Sequence, residues 1–458
     1  MGNYLAKFTG KNFLVLGAGS IASTFLPMLL RHIDVDKEKI VVLSEAHMYG
    51  HALEELGIAQ ENIRLTPDTF EQVFSKRLSA GDMVLNLTGG VSAIDLVAYC
   101  LNNGINYLDT SNERWEHGAL HNDAGDYSQQ WNKMIGMRPD LPKNSTALVS
   151  HGANPGIVNH FAKQAVEDLA RANGVWPEGD HNAVDWADLA QKLGVRTLHI
   201  SERDTQTTKI EEGADDFFNT WSIEGLLEEA ESTPYFAWGS HEELFDDLFW
   251  RRDPVSMVAA KPALAKDCHL TSWLPGHGCF EAALIPHEET FSIAELFSDL
   301  DGTGYQPTVL FAYRPCDLAY DRLQEDYSQM KPRVLIDEIA DGIDELGILV
   351  LREGSEEVYW YGSTLDVHEA RSLVAFTNAT SLQVAAGVLG GLVWLLNNPP
   401  HGLVSAEMTD HHQVLEAARP YLGRLEGVYG QWDNAPTKWR MCDLMKREQE
   451  CFKVARRT

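Results

Sequence analysis

The hexapeptide Gly17-Ala18-Gly19-Ser20-Ile21-Ala22 lies between the apolar run at 13–16 and an amphipathic stretch at 21–30. It reads G-x-G-x-x-A in a strand-to-helix context, and no other feature of the chain constrains the fold as much. Gly17 permits a tight turn, Gly19 lets backbone approach a pyrophosphate, and Ala22 lets the helix pack closely on the strand. The helix start at Ser20 and Ile21 offers free N–H groups and the positive end of a dipole to phosphates.

Apolar runs at 39–43, 83–87 and 105–108 read as further buried strands. Helical patterns at 69–79 and 92–103 lie between them, and Gly104 is placed to end the second. This alternation predicts an α/β fold whose residues 1–150 form a Rossmann domain, a doubly wound parallel sheet. At the end of the second strand, Ser44 and Glu45 are placed to meet an adenosine ribose, with Glu45 accepting from its hydroxyls. No Arg stands beside them in sequence to receive a 2′-phosphate, so NAD is expected rather than NADP. Asn86, Leu87 and Thr88 close the strand before Gly89-Gly90, and Thr110 ends the next; both ends should line the cofactor.

From residue 151 the pattern changes to longer helices (158–172) mixed with strands (197–201, 309–313). Residues 151–375 are expected to form a mixed α/β domain for substrate binding and dimerisation, with a homodimer as the default assembly. The remainder, 376–458, is read as a helical segment that returns to the first domain. Its helix at 379–396 carries Gly387, Gly390 and Gly391, small enough to pack against another backbone.

The 67 acidic against 37 basic residues give a formal charge of -30, which disfavours nucleic acid and anionic membranes and favours cations. The six cysteines are scattered without a C-x-x-C pair, which points to reduced thiols and a cytoplasmic protein. Met1-Gly2 lacks the Ser or Thr that myristoylation needs, since Ala6 stands there, and the apolar run 384–396 is too short to span a bilayer.

His151-Gly152-Ala153-Asn154-Pro155-Gly156 joins the two expected domains, where ligand clefts commonly lie. Pro155 reads as the start of the following helix and Asn154 as its cap. The stretch 201–250 holds 14 acidic and 2 basic residues. In it, Ser201-Glu202-Arg203-Asp204 ends a strand and Asn219-Thr220-Trp221-Ser222 precedes Glu228 and Glu229. Carboxylates beside an aromatic face suit an organic ammonium ion. The residues alone equally fit a solvated acidic face with Trp221 in a core. His287-x-Glu289, next to Glu288, places an imidazole and a carboxylate where protons could be moved or an amine held. No metal site is expected: His47-x-x-x-His51 is interrupted by Gly50, and the adjacent His411 and His412 are read as unable to share a helix face. No G-x-S-x-G elbow is present.

Taken together, these motifs resemble the bacterial homospermidine synthases, relatives of the saccharopine dehydrogenases. The likeness runs nearly end to end, through 152–156, 201–206, 219–225, 238–242, 312–317, 341–347 and 378–387. It implies that two putrescine molecules, or spermidine and putrescine, are joined into homospermidine with release of ammonia or diaminopropane. An amine-bearing carbon is oxidised to an imine, a second diamine adds, and hydride returns from retained NADH, with no net redox change. By matching motifs, Trp221 would face the cationic intermediate, Glu202 and Glu229 would anchor ammonium groups, and Glu113 would sit at the pocket mouth. Asn154, with Pro155, would orient substrate beside the nicotinamide, and His287 with Glu289 would position amines and relay protons. Gly89-Gly90 departs from the acid expected in that loop, which bears on the diamine accepted. A saccharopine or carboxynorspermidine dehydrogenase-like reductive amination would need Arg or Lys for carboxylates, which the acidic stretch argues against. An NAD-sensing binding protein leaves the Trp and carboxylate constellation without a role.

Overall fold

The computed structural model describes residues 4–45, 55–115, 126–177, 184–211, 213, 215–243, 258–260 and 263–445. His47, Gly50, His51 and the end of the 376–458 segment lie outside the described residues.

The first sheet begins with strand β1 (Phe13–Leu16), helix α1 (Ser20–His32), β2 (Ile40–Leu43), β3 (Ala59–Glu61) and β4 (Met83–Asn86). It continues with α2 (Ala93–Asn102), β5 (Asn106–Asp109) and β6 (Thr146–Val149). The strands of β1, β4 and β6 are buried along their whole length, as a parallel sheet covered on both faces requires. Ser92 caps α2 by accepting from Asp95 N, and Gly104 past its end has φ +67°, as expected of a glycine that stops a helix.

Helix α3 (Ile157–Ala172) leads into the second sheet. Its central strands are β7 (Val195–Asp204), β8 (Thr308–Arg314), β9 (Ile343–Arg352) and β10 (Glu357–Asp366). Between β7 and β8 the chain forms α4 (Ile223–Glu231) and α5 (Glu289–Leu296). β7 pairs parallel with β8 on one side and antiparallel with β9 on the other, so the sheet is mixed.

The last part of the chain contributes α6 (Ala379–Asn397), β11 (Gly402–Ser405), α7 (His411–Ala418) and β12 (Arg424–Gln431). β11 adds to the first sheet beside β6, giving the all-parallel order β11-β6-β5-β4-β1-β2-β3. β12 pairs with β10 in the second sheet. Residues 376–458 therefore hold more than the expected helix: two strands, each joined to a different sheet. Neither strand could be assigned from local pattern, because each is completed by a partner far away in sequence.

Helix α6 is 19 residues long with mean hydropathy 1.7, long and apolar enough by composition to cross a membrane, yet nearly all of it is buried inside the protein. Its glycines explain the depth. A Cβ on Gly387 would lie 1.9 Å from Gly152 O, and one on Gly391 would lie 2.6 Å from His151 Nδ1. The helix thus supports the 151–156 loop directly from below.

Candidate active site

The loop after β1 is built for a close-approaching phosphate. Gly17 has φ +93°, and a Cβ there would meet Leu87 O at 2.7 Å; a Cβ on Gly19 would meet nothing within 4 Å, which leaves room for a ligand. Gly19 is the N-cap of α1 without a side-chain cap bond, so the first-turn N–H groups at Ser20, Ile21 and Ala22 remain available. Ala22 is fully buried against the sheet. Asn86 is turned inward: its Nδ2 donates to Tyr107 Oη at 3.2 Å, and its Oδ1 accepts from Thr88 N at 3.3 Å. It shapes the Leu87–Thr88 turn against Gly17.

A groove of about 230 Å³ runs beside this loop, lined by Ser44, Glu45, Arg64, Thr88, Gly89 and Trp115 among others. It lies at the carboxyl end of the strands, where the adenosine half of a dinucleotide is expected. The expected absence of an arginine near the ribose does not hold. Arg64 Nε lies 3.8 Å from Glu45 Oε2, so an Arg does stand beside the ribose position. It follows β3, the neighbour of β2 in the sheet, and only the strand pairing brings the two residues together.

At the carboxyl end of β5, Asp109 Oδ2 accepts from Tyr107 Oη at 2.8 Å and its Oδ1 accepts from Ser150 N at 2.6 Å. Burial pushes the Asp109 carboxyl up to about 8. Thr110 follows and packs against Gly152. Glu113 Oε1 accepts from Ser111 Oγ at 3.2 Å and its Oε2 accepts from Gly90 N at 3.4 Å. Burial, reinforced by Glu228 and Glu288, raises its carboxyl to about 7. Glu288 Oε1 accepts from Ser150 Oγ at 2.9 Å and Asn112 N at 3.2 Å, which ties α5 to the first sheet.

The expected cap at Asn154 is replaced by another arrangement. Helix α3 starts at Ile157 with Gly156 as N-cap, and the Asn154–Pro155 peptide before it is cis. Gly156 holds φ +127°, and its Cβ position lies 2.4 Å from Gly152 O, so the tight loop demands glycine at the cap. Asn154 is thereby free to point away, and its Nδ2 donates to Glu202 Oε2 at 2.6 Å.

Glu202 is buried near the end of β7, with Asp204 two residues on and Asp344 opposite Asp204 on β9. Asp204 accepts from Thr220 Oγ1 at 2.6 Å and from Gln206 N at 2.7 Å. Asp344 Oδ2 accepts from Thr380 Oγ1 at 2.6 Å, and its Oδ1 is buried without a partner. Burial and mutual repulsion raise all three carboxyls. Trp221 is half-buried beside them, its Nε1 donating to Tyr313 Oη at 2.8 Å. On α4, Glu229 Oε1 lies 3.3 Å from His287 Nε2, while Glu289 Oε2 is hydrogen-bonded to His287 Nδ1. Burial alone would lower the His287 imidazole, but the two carboxylates outweigh it and hold the ring protonated well above its usual range.

The two domains match known families. Residues 13–136 match the saccharopine dehydrogenase NADP binding domain, and residues 152–430 match the saccharopine dehydrogenase C-terminal domain. The homospermidine synthase of Blastochloris viridis is 34% identical over 438 residues, 92% of this chain and 91% of that protein. The chain belongs to the homospermidine synthase family. Homospermidine synthase from Mesorhizobium japonicum is likewise 34% identical over 441 residues, covering 92% and 90% of the two chains. The solved homospermidine synthase of Legionella pneumophila in complex with NAD is 29% identical, with TM-score 0.89 over 96% of this chain and 99% of that one. Saccharopine dehydrogenase from Saccharomyces cerevisiae, 12% identical over 92% of this chain and all of its own, shares the fold at TM-score 0.54.

The homospermidine synthase resemblance read from separated sequence blocks therefore holds. Of the residues singled out in sequence, Glu202 and Asn154 touch one another, as do Glu229, His287 and Glu289. Glu113 meets the Gly89-Gly90 loop, and Trp221 reaches Tyr313. Ser44 and Glu45 line the groove beside the glycine loop, whose wall also includes Gly89 and Gly90. Asp109, Asp344 and Tyr313 belong to the same constellation; Tyr313 and Asp344 fall in the blocks 312–317 and 341–347 that carry the resemblance, but the strand patterns around the three residues give none of them a role in the site. The adjacent His411 and His412 also depart from expectation: both Nε2 atoms reach the same Glu167 oxygen, at 3.0 and 3.1 Å. Helix geometry separates their Cβ atoms, yet at the first turn of α7 the two rings lie 4.0 Å apart and converge on one acceptor.

Proposed function

We infer that this chain catalyses the homospermidine synthase reaction, joining two putrescine molecules, or spermidine and putrescine, with release of ammonia or diaminopropane. The observation that carries this reading is the set of buried and half-buried carboxylates whose hydrogen-bond donors are neutral. Glu113, Glu202, Asp204 and Asp344 are met by Ser, Asn, Gln and Thr side chains and by backbone N–H groups. Among the described residues these carboxylates have no cationic hydrogen-bond partner, and such a cluster is complementary to a dicationic diamine.

The glycine loop and uncapped α1 fit a dinucleotide, with Ser44, Glu45 and Thr88 along its adenosine half. Glu45 disfavours a 2′-phosphate, Arg64 offsets that in part, and the reading is for NAD. When bound, NAD supplies the temporary acceptor for hydride from the amine-bearing carbon. The chain's own residues do the rest. Glu202, oriented by Asn154, anchors one ammonium group, and Glu229 anchors another close to His287. Before hydride can leave, the reacting ammonium must give up a proton; Glu229, raised by burial, accepts it at Oε1. His287 holds a proton between Glu229 and Glu289 and passes it towards the departing amine. Trp221, fixed by Tyr313, presents its ring to the cationic imine. Glu113 receives the outer amine at the mouth. The buried cluster excludes water, which would hydrolyse the imine. The reaction runs in the cytoplasm in a homodimer, with all described cysteines reduced.

The test is incubation of purified protein with NAD and putrescine. Ammonia and homospermidine in equal amounts, without accumulating NADH, are expected. Steady NADH production would replace this reading with a dehydrogenase.

A further inference from the structure

We propose that Glu167, His411 and His412 form a binding site for a late first-row divalent cation, Zn²⁺ being the natural occupant. The site lies on the C-terminal half of α3, eleven residues past its N-cap Gly156, or on the order of 15 Å along the helix from the substrate loop. It is therefore separate from the constellation assigned to the reaction, and its truth does not depend on that assignment.

The three ligand atoms all lie within 4.8 Å of one another. Glu167 Oε2 is 3.0 Å from His411 Nε2 and 3.1 Å from His412 Nε2. Tetrahedral zinc with bonds of about 2.0–2.1 Å needs ligand atoms roughly 3.3 Å apart, so two edges of the tetrahedron are already close to length. The set exceeds what an ion pair requires. Arg171 already neutralises Glu167 through the other oxygen, with Nε at 2.8 Å and a guanidinium nitrogen at 2.7 Å from Oε1. That leaves two imidazoles facing the single remaining oxygen. A ligating carboxylate whose second oxygen is held by a neighbouring donor is the usual outer arrangement of a metal centre.

The ligands are held in place before any ion arrives. Lys163 Nζ donates to Glu407 O at 2.5 Å and Thr409 O at 2.9 Å, pinning the chain that enters α7. Asp410 caps the helix by accepting from Gln413 N at 2.9 Å. The Trp186 ring stands edge-on to His411 at 5.6 Å. His412 has a side-chain exposure of 51%, which leaves an entry path and a fourth position for water. Two nitrogens and one carboxylate oxygen select zinc, cobalt or nickel over calcium or magnesium, which prefer all-oxygen shells. Each imidazole would ligate as the tautomer protonated on Nδ1. An ion here clips α3, the helix that carries the substrate loop, to α7 in the returning segment.

The experiment uses full-length protein freed of metal with a chelator and titrated separately with Zn²⁺ and Co²⁺. One equivalent of Zn²⁺ by calorimetry, tetrahedral d–d bands with Co²⁺, and a Zn²⁺-dependent rise in the thermal midpoint are expected. His412→Ala, at a half-exposed position, should fold normally, lose the Co²⁺ bands and weaken Zn²⁺ by at least about tenfold. Glu167→Gln keeps the side-chain shape and should behave alike. Absence of the Co²⁺ bands in the unsubstituted protein, or equal binding by it and both variants, would overturn the proposal and leave a plain ion-pair cluster.

Discussion

Replacing His287 with Asn tests whether the imidazolium neutralises two buried carboxylates. Glu229 and Glu289 are 8% and 1% exposed, and they face opposite nitrogens of a ring that is itself 7% exposed. At the 3.3 Å separation from Glu229, the Coulomb attraction is about 5 kcal/mol at an effective dielectric constant near 20, with desolvation offsetting much of it. Removing one partner of such a buried arrangement typically costs about 3–5 kcal/mol, because the remaining charges are left unpaired. Unfolding entropy of roughly 2.1 cal/mol/K per residue over a chain of this length makes each kcal/mol worth about 1 °C, if the molecule unfolds as one unit. His287→Asn should therefore lower the thermal midpoint of the ligand-free protein by about 3–5 °C at pH 7. The sign with pH follows from the raised imidazole. Its stabilisation is fully present below the unfolded value near 6.5 and is lost as pH rises through the higher folded value, so the deficit shrinks in alkaline buffer. The double variant His287→Asn/Glu289→Gln removes one unpaired charge and should recover at least about 1 kcal/mol. A single variant melting within about 1 °C of the parent, or a double variant no better than the single, would refute the neutralisation argument.

Four further outcomes follow from the same geometry. Glu113 sits at about 7 in the free protein, so diamine binding in the presence of NAD should tighten between pH 6 and 8 as its carboxylate forms, and Glu113→Gln should flatten that dependence in calorimetry. By the same raised value, Glu113 makes the ligand-free fold less stable as pH rises from about 4.5 towards 7, since the folded state binds the extra proton. Trp221→Ala should leave NAD affinity unchanged and cut turnover about 30-fold, the equivalent of a desolvated cation–π contact of about 2 kcal/mol; an unchanged rate would remove Trp221 from the reaction. Gly387→Ala places a methyl 1.9 Å from Gly152 O and should destabilise the protein at the upper end of about 1–3 kcal/mol, with a loss of turnover as the Asn154 loop shifts.

What the sequence by itself determined is whatever local periodicity and backbone demands encode. The glycines of 17–22 specify a strand–turn–helix that could bind a dinucleotide, because tight turns and close approach leave few other residues acceptable. The small residues of α6 announced a close helix contact, though not with which loop. The widely spaced blocks around Asn154, Glu202, Trp221 and Tyr313 were legible as one family because several occur in one order. Tertiary structure alone decided the rest, since burial and proximity are properties of pairing between distant strands. It joined Asp344 to Asp204 across β9 and β7, set Arg64 beside Glu45, and turned Asn154 from a helix cap into the partner of Glu202. It also drew Glu202, Asp204 and Glu229 inside the protein from an acidic stretch whose other described carboxylates stay exposed or half-buried. Their raised protonation follows from lost water and mutual repulsion, which no single segment contains.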